Sequence, residues 1–361
     1  MISSLYVHIP FCKSICAYCD FCRVGYDQNL VDQYLVALQQ ELSQRVDHQN
    51  LKTIYIGGGT PTALSDEQFQ RLLMILQPYT KDVKEYTIEM NPETITKTKL
   101  NLLSTYGINR VSLGVQTLND RLLKIIKRQH TTEQVIHAID DLLACGIDNI
   151  SVDVMFGLPT QSLTDLIETL TSLITWPIKH ISLYDLTIEE HSYFGRHHIK
   201  KADDELCDQM YFSAIALLEK AGFRQYEISN FAKSGYQSQH NIVYWQYQDF
   251  YGVGLNASSK IGHYRYTNTS NFVEYLANRY INDQIYNDKR DYLFERMMMG
   301  LRIKEGIVLS KIEENDILCI YKEELADLIN RKLLVLVDHR LKATTKGYSI
   351  LNDILVDLLP K

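Results

Sequence analysis

The chain has 361 residues, of which 45% are hydrophobic and 22% are charged, and this predicts a globular protein with one large domain and a smaller one. The formal net charge of −7 argues against nucleic acid or an anionic membrane surface as the main partner. No apolar run is long enough for an integral membrane segment, and the start Met1-Ile2-Ser3-Ser4 lacks the basic and apolar parts of a leader, so we expect a cytoplasmic protein.

Six short β-branched runs alternate with six helical patterns up to Ala221. The predicted strands are Leu5–Ile9, Thr53–Ile56, Tyr86–Met90, Arg110–Val115, Ile150–Phe156 and His180–Leu186. The predicted helices are Gln28–Val46, Asp66–Leu76, Thr96–Tyr106, Thr132–Cys145, Leu163–Ile174 and Asp203–Ala221, with N-caps at Ser65 and Thr131 and αL caps at Gly107, Gly146 and Gly222. A parallel crossover needs a helix-length connection, so these units predict a parallel sheet, either open or curled into an incomplete barrel.

The pattern changes after about Ile228, where residues 230–270 predict loops with short strands. The last part combines helical patterns with a hairpin: Asp291–Leu301, an amphipathic stretch near Leu309–Ile329, the strands Leu333–Val337 and Leu341–Thr345, and a final helix Gly347–Leu359. We therefore predict three regions, 1–228, 229–290 and 291–361. The last region is expected to be mainly helical and winged-helix-like, and either an interaction module or a stabilising cap.

Four of the seven cysteines crowd into one loop directly after the first predicted strand, and Cys12, Cys16 and Cys19 have the spacing C-x3-C-x2-C. Three thiolates can hold three irons of a [4Fe-4S] cluster and leave the fourth iron open. Structural zinc and disulfides are the alternatives, but zinc usually takes two separated pairs and the cysteine count is odd. Three further cysteines are expected to be ordinary buried thiols: Cys145, Cys207 and Cys319.

Polar or glycine residues also follow the later strands, at the edge where such folds build their sites. They are Gly57–Pro61, Glu89, Gln116 and Asp153. Arg128 on its own predicts a solvated charge. His240 lies among Tyr236, Tyr244, Trp245 and Tyr247, a setting that a flat aromatic cofactor with an iron centre would favour, although a lone histidine is more often a satisfied structural residue.

Taken together, these runs resemble the radical S-adenosylmethionine (SAM) superfamily. The segment from Tyr6 to Cys19 resembles the opening of its oxygen-independent coproporphyrinogen III oxidase-like branch, as do Gly57–Pro61, Ile88–Pro92, Leu113–Gln116 and Asp153–Pro159. Within that branch His240–Trp245 matches the H-N-x-x-Y-W signature of the HemW-type haem chaperones, and Met299–Arg302 and Thr344–Gly347 resemble the C-terminal domain of that group. The resemblance implies a partial (β/α)6 TIM-like barrel followed by the C-terminal domain.

The resemblance also implies a role for individual residues. Cys12, Cys16 and Cys19 would bind the cluster, and SAM would chelate its open iron and be cleaved by an electron from it. The SAM site would comprise Tyr6, Tyr18, Gly58, Gly59, Thr60, Glu89, Gln116, Arg128 and Asp153. His240 would be the haem ligand. The expected function is a haem chaperone that passes haem to an acceptor protein and takes electrons for its cluster from a donor protein.

Two rival hypotheses remain at this stage. The first is an enzyme, an oxygen-independent coproporphyrinogen III oxidase that makes protoporphyrinogen IX by oxidative decarboxylation. That enzyme has its fourth cysteine one residue earlier than Cys22 and a long segment before its first cysteine, whereas Cys12 lies near the start here. The second is a structural or redox cluster without SAM chemistry. Cys22 is expected to stay outside the ligand set as a thiol packed beside the cluster.

Overall fold

The structure, a computed structural model, describes residues 2–47 and 49–359. Six parallel strands pair in chain order: Ser4–Ile9, Thr53–Gly58, Glu85–Met90, Arg110–Gln116, Asn149–Phe156 and His180–Asp185. All six predicted strands are confirmed, with ends that differ by at most two residues. We refer to them as the first to sixth barrel strands.

Three shorter strands extend this sheet at its two edges. Tyr251–Val253 pairs in parallel with the first barrel strand, while Asn230–Ala232 pairs antiparallel with the sixth and then with Arg224–Gln225. Among the described residues the two edge strands do not pair with each other, so the barrel is incomplete. Inward side chains from the second to the sixth strand line one cavity, which shows that the sheet curls around it.

Helices cover the outer face of the sheet and bury its apolar residues, as the alternation of strand and helix predicts. The helices of this part are Gln28–Arg45, Asp66–Leu76, Lys97–Thr105, Asp120–Ile125, Thr132–Ala144, Leu163–Leu173, Tyr193–Arg196, Asp204–Lys220, Gln239–Trp245 and Phe272–Leu276, with 3-10 turns at Pro61–Ala63, Gln77–Tyr79 and Pro92–Thr94. The predicted caps are confirmed: Ser65 and Thr131 accept from backbone N–H groups, and Gly107, Gly146 and Gly222 have positive φ.

A three-stranded antiparallel sheet, Ser258–Ile261, Tyr264–Asn268 and Ile281–Tyr286, lies beside the main sheet. The middle region of the predicted division also supplies Asn230–Ala232 and Tyr251–Val253 to the main sheet. The division into 1–228, 229–290 and 291–361 stays a prediction. Its first boundary does not coincide with an edge of the sheet.

The C-terminal part builds its own apolar core between helices and a small sheet. Its helices are Lys289–Gly300, Lys311–Ile320, Lys322–Asn330, Thr345–Tyr348 and Leu351–Asp357, and its strands are Ile307–Val308, Leu334–Val337 and Arg340–Ala343. The predicted hairpin is confirmed by the antiparallel pairing of the last two strands. The prediction of one final helix is wrong, because Ile350 leaves the helical conformation and separates two short helices.

One thiol prediction is also wrong. Cys207 is buried and Cys145 is half-buried, but Cys319 is exposed. Cys319 follows the buried Ile317 by two helical positions, which places it on the opposite face of the helix. No helix in the described ranges has the length and apolar character needed to cross a membrane.

Candidate functional site

The cysteine loop and the carboxyl ends of the barrel strands surround a cavity of about 520 Å³. Parallel strands end at the same edge of a sheet, so residues that are distant in sequence meet there. Eleven of the predicted site residues line this cavity: Cys12, Cys16, Tyr18, Cys19, Gly58, Gly59, Thr60, Glu89, Gln116, Arg128 and Asp153. Tyr6 and His240 do not.

The cysteine loop is closed at its neck by a short parallel pair, Phe11–Cys12 with Val24–Gly25. Cys12 is buried, with its Sγ 3.8 Å from the hydroxyl of Thr60, and the Cys19 N–H donates to the Cys16 carbonyl at 3.3 Å. Burial raises the pKa of the Cys12 thiol to about 11, and the neighbouring thiols add to this. A cationic iron–sulfur cluster would supply the positive charge that three close thiolates need.

Glycine is required where the second barrel strand passes the cysteine loop. A Cβ on Gly59 would lie 2.9 Å from the Cys12 Sγ and 2.9 Å from the Phe11 carbonyl oxygen. Gly58 has φ of 117°, a conformation that side chains rarely adopt, and its N–H donates to Glu89 at 3.0 Å. These glycines therefore let the backbone approach the thiol closely, which fits a cluster and a ligand at this edge.

Glu89 and Asp153 form an acidic pair inside the cavity. Tyr55 donates to Glu89 at 2.9 Å, and Ser112 donates to Asp153 at 3.1 Å. Burial raises the pKa of Glu89 to about 7, and the charge of Asp153 adds to this; burial also raises the pKa of Asp153. Both carboxyls would be stabilised in the charged form by a cationic ligand, and SAM carries an ammonium and a sulfonium group.

Arg128 is not the solvated charge that its local sequence predicts. Its guanidinium donates to the Asn91 side chain at 2.8 Å and to the Gly114 carbonyl, and its Nη1 lies 3.5 Å from the Cys16 Sγ. The Arg128 Nε is buried and has no hydrogen-bond partner among the described residues. Arg128 thus borders the cysteine loop, held there by the Asn91 side chain and the Gly114 carbonyl.

Gln116 reaches the cavity through a backbone irregularity. Its φ is 66°, in the left-handed region, and the pairing of the fourth and fifth barrel strands shifts between Gly114 and Gln116. Such a bulge redirects a side chain at the end of a strand. The sequence alone did not predict this bulge.

Several residues that line the cavity were missed at the sequence level. They are Tyr55, Asn91, Arg110, Ser112, Ser182 and Asn241. A usable signal existed for some of them, because side chains two apart on a strand share a face. Counting back from Gln116 in steps of two identifies Gly114, Ser112 and Arg110 as inward-facing positions.

His240 lies at the opposite, amino end of the barrel and is fully buried. Its Nδ1 is 2.8 Å from the hydroxyl of Thr53, and its Nε2 is 2.7 Å from the hydroxyl of Tyr244. Its backbone N–H donates to Glu85 at 2.9 Å, and its ring stacks on Tyr55. Burial lowers the pKa of His240 to about 3, so the imidazole is neutral and both ring nitrogens are engaged.

Tyr6 and Cys22 meet around a second histidine, His8, beside the cavity. The Tyr6 hydroxyl lies 3.0 Å from the His8 Nδ1, and the His8 Nε2 lies 2.9 Å from the Cys22 carbonyl oxygen. Neither Tyr6 nor Cys22 lines the cavity. The structure thus groups three of the four loop cysteines around one space and leaves Cys22 beside it.

The donor set fits a cluster better than a single metal ion. Within residues 2–47 and 49–359 no three His, Cys, Asp or Glu side chains are arranged to hold one ion. A zinc site would gather its four ligands around one ion, whereas a [4Fe-4S] cube joins thiolates through separate irons. The three thiols that line the cavity suit the second arrangement.

Comparison with known proteins agrees with this geometry. Residues 6–173 match the model of the radical SAM superfamily, and residues 287–350 match the HemN C-terminal domain. The solved structure of coproporphyrinogen III oxidase (HemN) from Escherichia coli, described as a radical SAM enzyme, covers 99% of this chain and 90% of its own with a TM-score of 0.85. At 24% identity that likeness shows the fold alone, and it confirms the predicted fold class. Fold and cysteine motif together define a radical SAM protein.

Full-length relatives identify the family within this superfamily. A protein of Lactococcus lactis named heme chaperone HemW is 35% identical over 99% of this chain and 97% of its own length. A protein of the same name from Bacillus subtilis is 34% identical and covers 98% of each chain. The chain belongs to the HemW family, which confirms the family that its motifs resemble.

Proposed function

We propose that the protein is a haem chaperone that binds haem, holds a [4Fe-4S] cluster with exchangeable SAM, and transfers haem to an acceptor protein. The observation that carries this proposal is the likeness, over 99% of the chain, to a relative named heme chaperone HemW. The cavity supports it, because three cysteines and the predicted SAM residues line one space.

The cluster would be held by Cys12, Cys16 and Cys19, and SAM by the residues around them. Gly58, Gly59 and Thr60 present backbone and hydroxyl groups at the strand end, while Glu89 and Asp153 offer negative charge to the cationic end of SAM. Gln116, Arg128 and Tyr18 complete the lining, and Tyr6 supports it from behind Tyr55. A reduced cluster would supply reductive cleavage of SAM there, with electrons from a donor protein.

His240 remains the proposed haem ligand, and its surroundings define what ligation requires. A ring nitrogen must be free to bind iron, yet one is engaged by Thr53 and the other by Tyr244. Ligation therefore requires the helix Gln239–Trp245 to move away from the amino end of the barrel. Haem binding through His240 would be coupled to opening of this end.

Oxidative decarboxylation of coproporphyrinogen III is not the function we propose. The likeness to the solved oxidase is a likeness of fold at 24% identity, and the chain matches proteins named heme chaperone at 34–35% over their full length. If reduced protein with SAM converted coproporphyrinogen III to protoporphyrinogen IX, the decarboxylase function would have to be restored.

The test is a haem titration of anaerobically reconstituted protein, with iron counted in the same sample. We expect one haem per chain with a saturable Soret band, and a loss of that band or a weakening of affinity by tenfold or more in His240→Ala. His137→Ala, an exposed helical histidine, is the matched control. A wild-type titration without a saturable band would contradict the proposal, and full affinity in His240→Ala would remove His240 as the ligand.

A further inference from the structure

Arg110 is a buried cation that the proposed function does not use. It is 2% exposed, begins the fourth barrel strand and lines the cavity together with Ser112 and Gly114. Its Nε is buried without a hydrogen-bond partner, and no hydrogen bond or ion pair in the described chain involves its guanidinium. Because arginine stays protonated in proteins and a buried charge is costly without a partner, this group is prepared to gain one from a ligand.

Arg128, a half-buried arginine that also lines the cavity, already has hydrogen-bond partners. Arg128 is engaged with the Asn91 side chain, the Gly114 carbonyl and the Cys16 Sγ. Burial raises the pKa of Asp153, and the charge of Arg110 offsets only part of this rise. No ion pair forms between the two side chains, and Asp153 accepts from Ser112 instead. Of these two guanidinium groups, Arg110 is the one with all its donors uncommitted.

A second uncommitted group lies in the same cavity. Asn241, from the H-N-x-x-Y-W motif, lines it, and its side-chain amide makes no hydrogen bond with the described residues. The helix that carries Asn241 is held at the amino end of the barrel, because Glu85 accepts from the N–H groups of Gln239 and His240. Glu85 and Arg110 both begin barrel strands, so Arg110 and Asn241 belong to the same end of the barrel.

This end is distant from the cysteine loop. The seven residues of the strand Arg110–Gln116 span roughly 20 Å at the usual rise of a strand. The cavity thus runs inward from the cluster edge toward Arg110 and Asn241. A planar guanidinium matches a carboxylate with two parallel donors.

We propose that Arg110, assisted by the Asn241 amide, is a carboxylate-binding subsite at the inner end of the cavity. This inference rests on the proposed function for the choice of ligand, a haem propionate. The carboxylate of SAM would be held at the open iron beside the cysteine loop, far from Arg110. A propionate would form charge-assisted hydrogen bonds with Arg110.

The test compares each ligand with its analogue that lacks the free carboxylate, using full-length reconstituted protein. The pairs are haem with haem dimethyl ester, and SAM with decarboxylated SAM. In Arg110→Gln we expect the preference for the carboxylate form to fall about tenfold or more in the haem pair and to stay unchanged in the SAM pair, with a smaller fall for haem in Arg110→Lys. Arg279→Gln, an exposed arginine away from the cavity, should leave both preferences unchanged.

Thermal unfolding of the unliganded proteins separates binding from a structural role. Arg110→Gln should unfold no earlier than wild type, because it removes an unpaired buried charge. A marked fall in its melting temperature, a haem preference equal to that of wild type, or a fall confined to the SAM pair would overturn the proposal. If wild type binds no haem, the proposed function fails; if wild type binds haem and Arg110→Gln keeps its preference for the free propionates, only the subsite fails.

Discussion

At the carboxyl end of the barrel, polar side chains keep donors and charges open, whereas at the amino end the buried histidines are fully hydrogen-bonded and Arg110 is an exception. Around the cysteine loop, the Arg128 Nε has no partner among the described residues and burial raises the pKa of Glu89 to about 7. At the other end, both ring nitrogens of His240 are hydrogen-bonded, and so are both of His180, through Ser151 and Tyr226.

The contrast teaches where ligands are expected. Unpartnered polar groups in a buried place are costly, and a ligand that supplies the missing partners gains the corresponding free energy. The carboxyl end has such unpartnered groups, and Arg110 is another at the inner end of the cavity. The segment that contains His240 is instead built as a closure of the barrel, so any ligand role for His240 requires that closure to open.

The largest expected effect is at the cysteine loop. Cys12→Ser should reduce the iron content after anaerobic reconstitution to background, because two thiolates cannot hold the cluster. Cys22→Ser is the matched control and should keep wild-type iron, since Cys22 does not line the cavity. Equal loss of iron in both variants would break the separation of Cys22 from the other three cysteines.

A smaller effect, on the free energy of unfolding, is expected when glutamine replaces Glu89. Its pKa is about 7 in the folded protein against an ordinary value of 4.5, so between these values the folded state keeps a proton that the unfolded state has lost. The stabilisation of the folded protein by the proton on Glu89 is therefore complete at low pH and is lost as the pH rises through 7. Glu89→Gln should therefore gain about 3 kcal/mol in free energy of unfolding relative to wild type between pH 4.5 and pH 8.

Urea unfolding of the unliganded proteins across that pH range measures this difference. The control is Glu323→Gln, which makes the same change in formal charge at an exposed helical position. A constant difference between Glu89→Gln and wild type would show that the acidic pair at the carboxyl end is not strained by burial.

The smallest effect is expected at the amino end. Tyr244→Phe removes the hydroxyl that lies 2.7 Å from the His240 Nε2 and should cost about 1 kcal/mol in free energy of unfolding, with iron content unchanged. Because it frees one ring nitrogen, it should also tighten haem binding. Tyr286→Phe, at an exposed tyrosine, is the control. Loss of iron in Tyr244→Phe would show that the two ends of the barrel are not independent.

Prediction from the sequence succeeded where the signal is local. The six barrel strands follow from runs of β-branched residues, and the caps at Ser65 and Thr131 follow from residues three positions apart. The strand-end residues Glu89 and Gln116 also reach the cavity, because parallel strands end at one edge. Tyr55 and Asn91 were missed because nothing local distinguishes them from other polar residues near strands.

The sequence by itself determined the order of strands and helices, the spacing of Cys12, Cys16 and Cys19, and the family to which the chain belongs. Only the tertiary structure decided which polar groups find partners. Thr53 and His240 are 187 residues apart yet share a hydrogen bond, while Arg110 remains without one. The physical reason is that periodicity and capping act over a few residues, whereas the partner of a buried polar group depends on how distant segments pack.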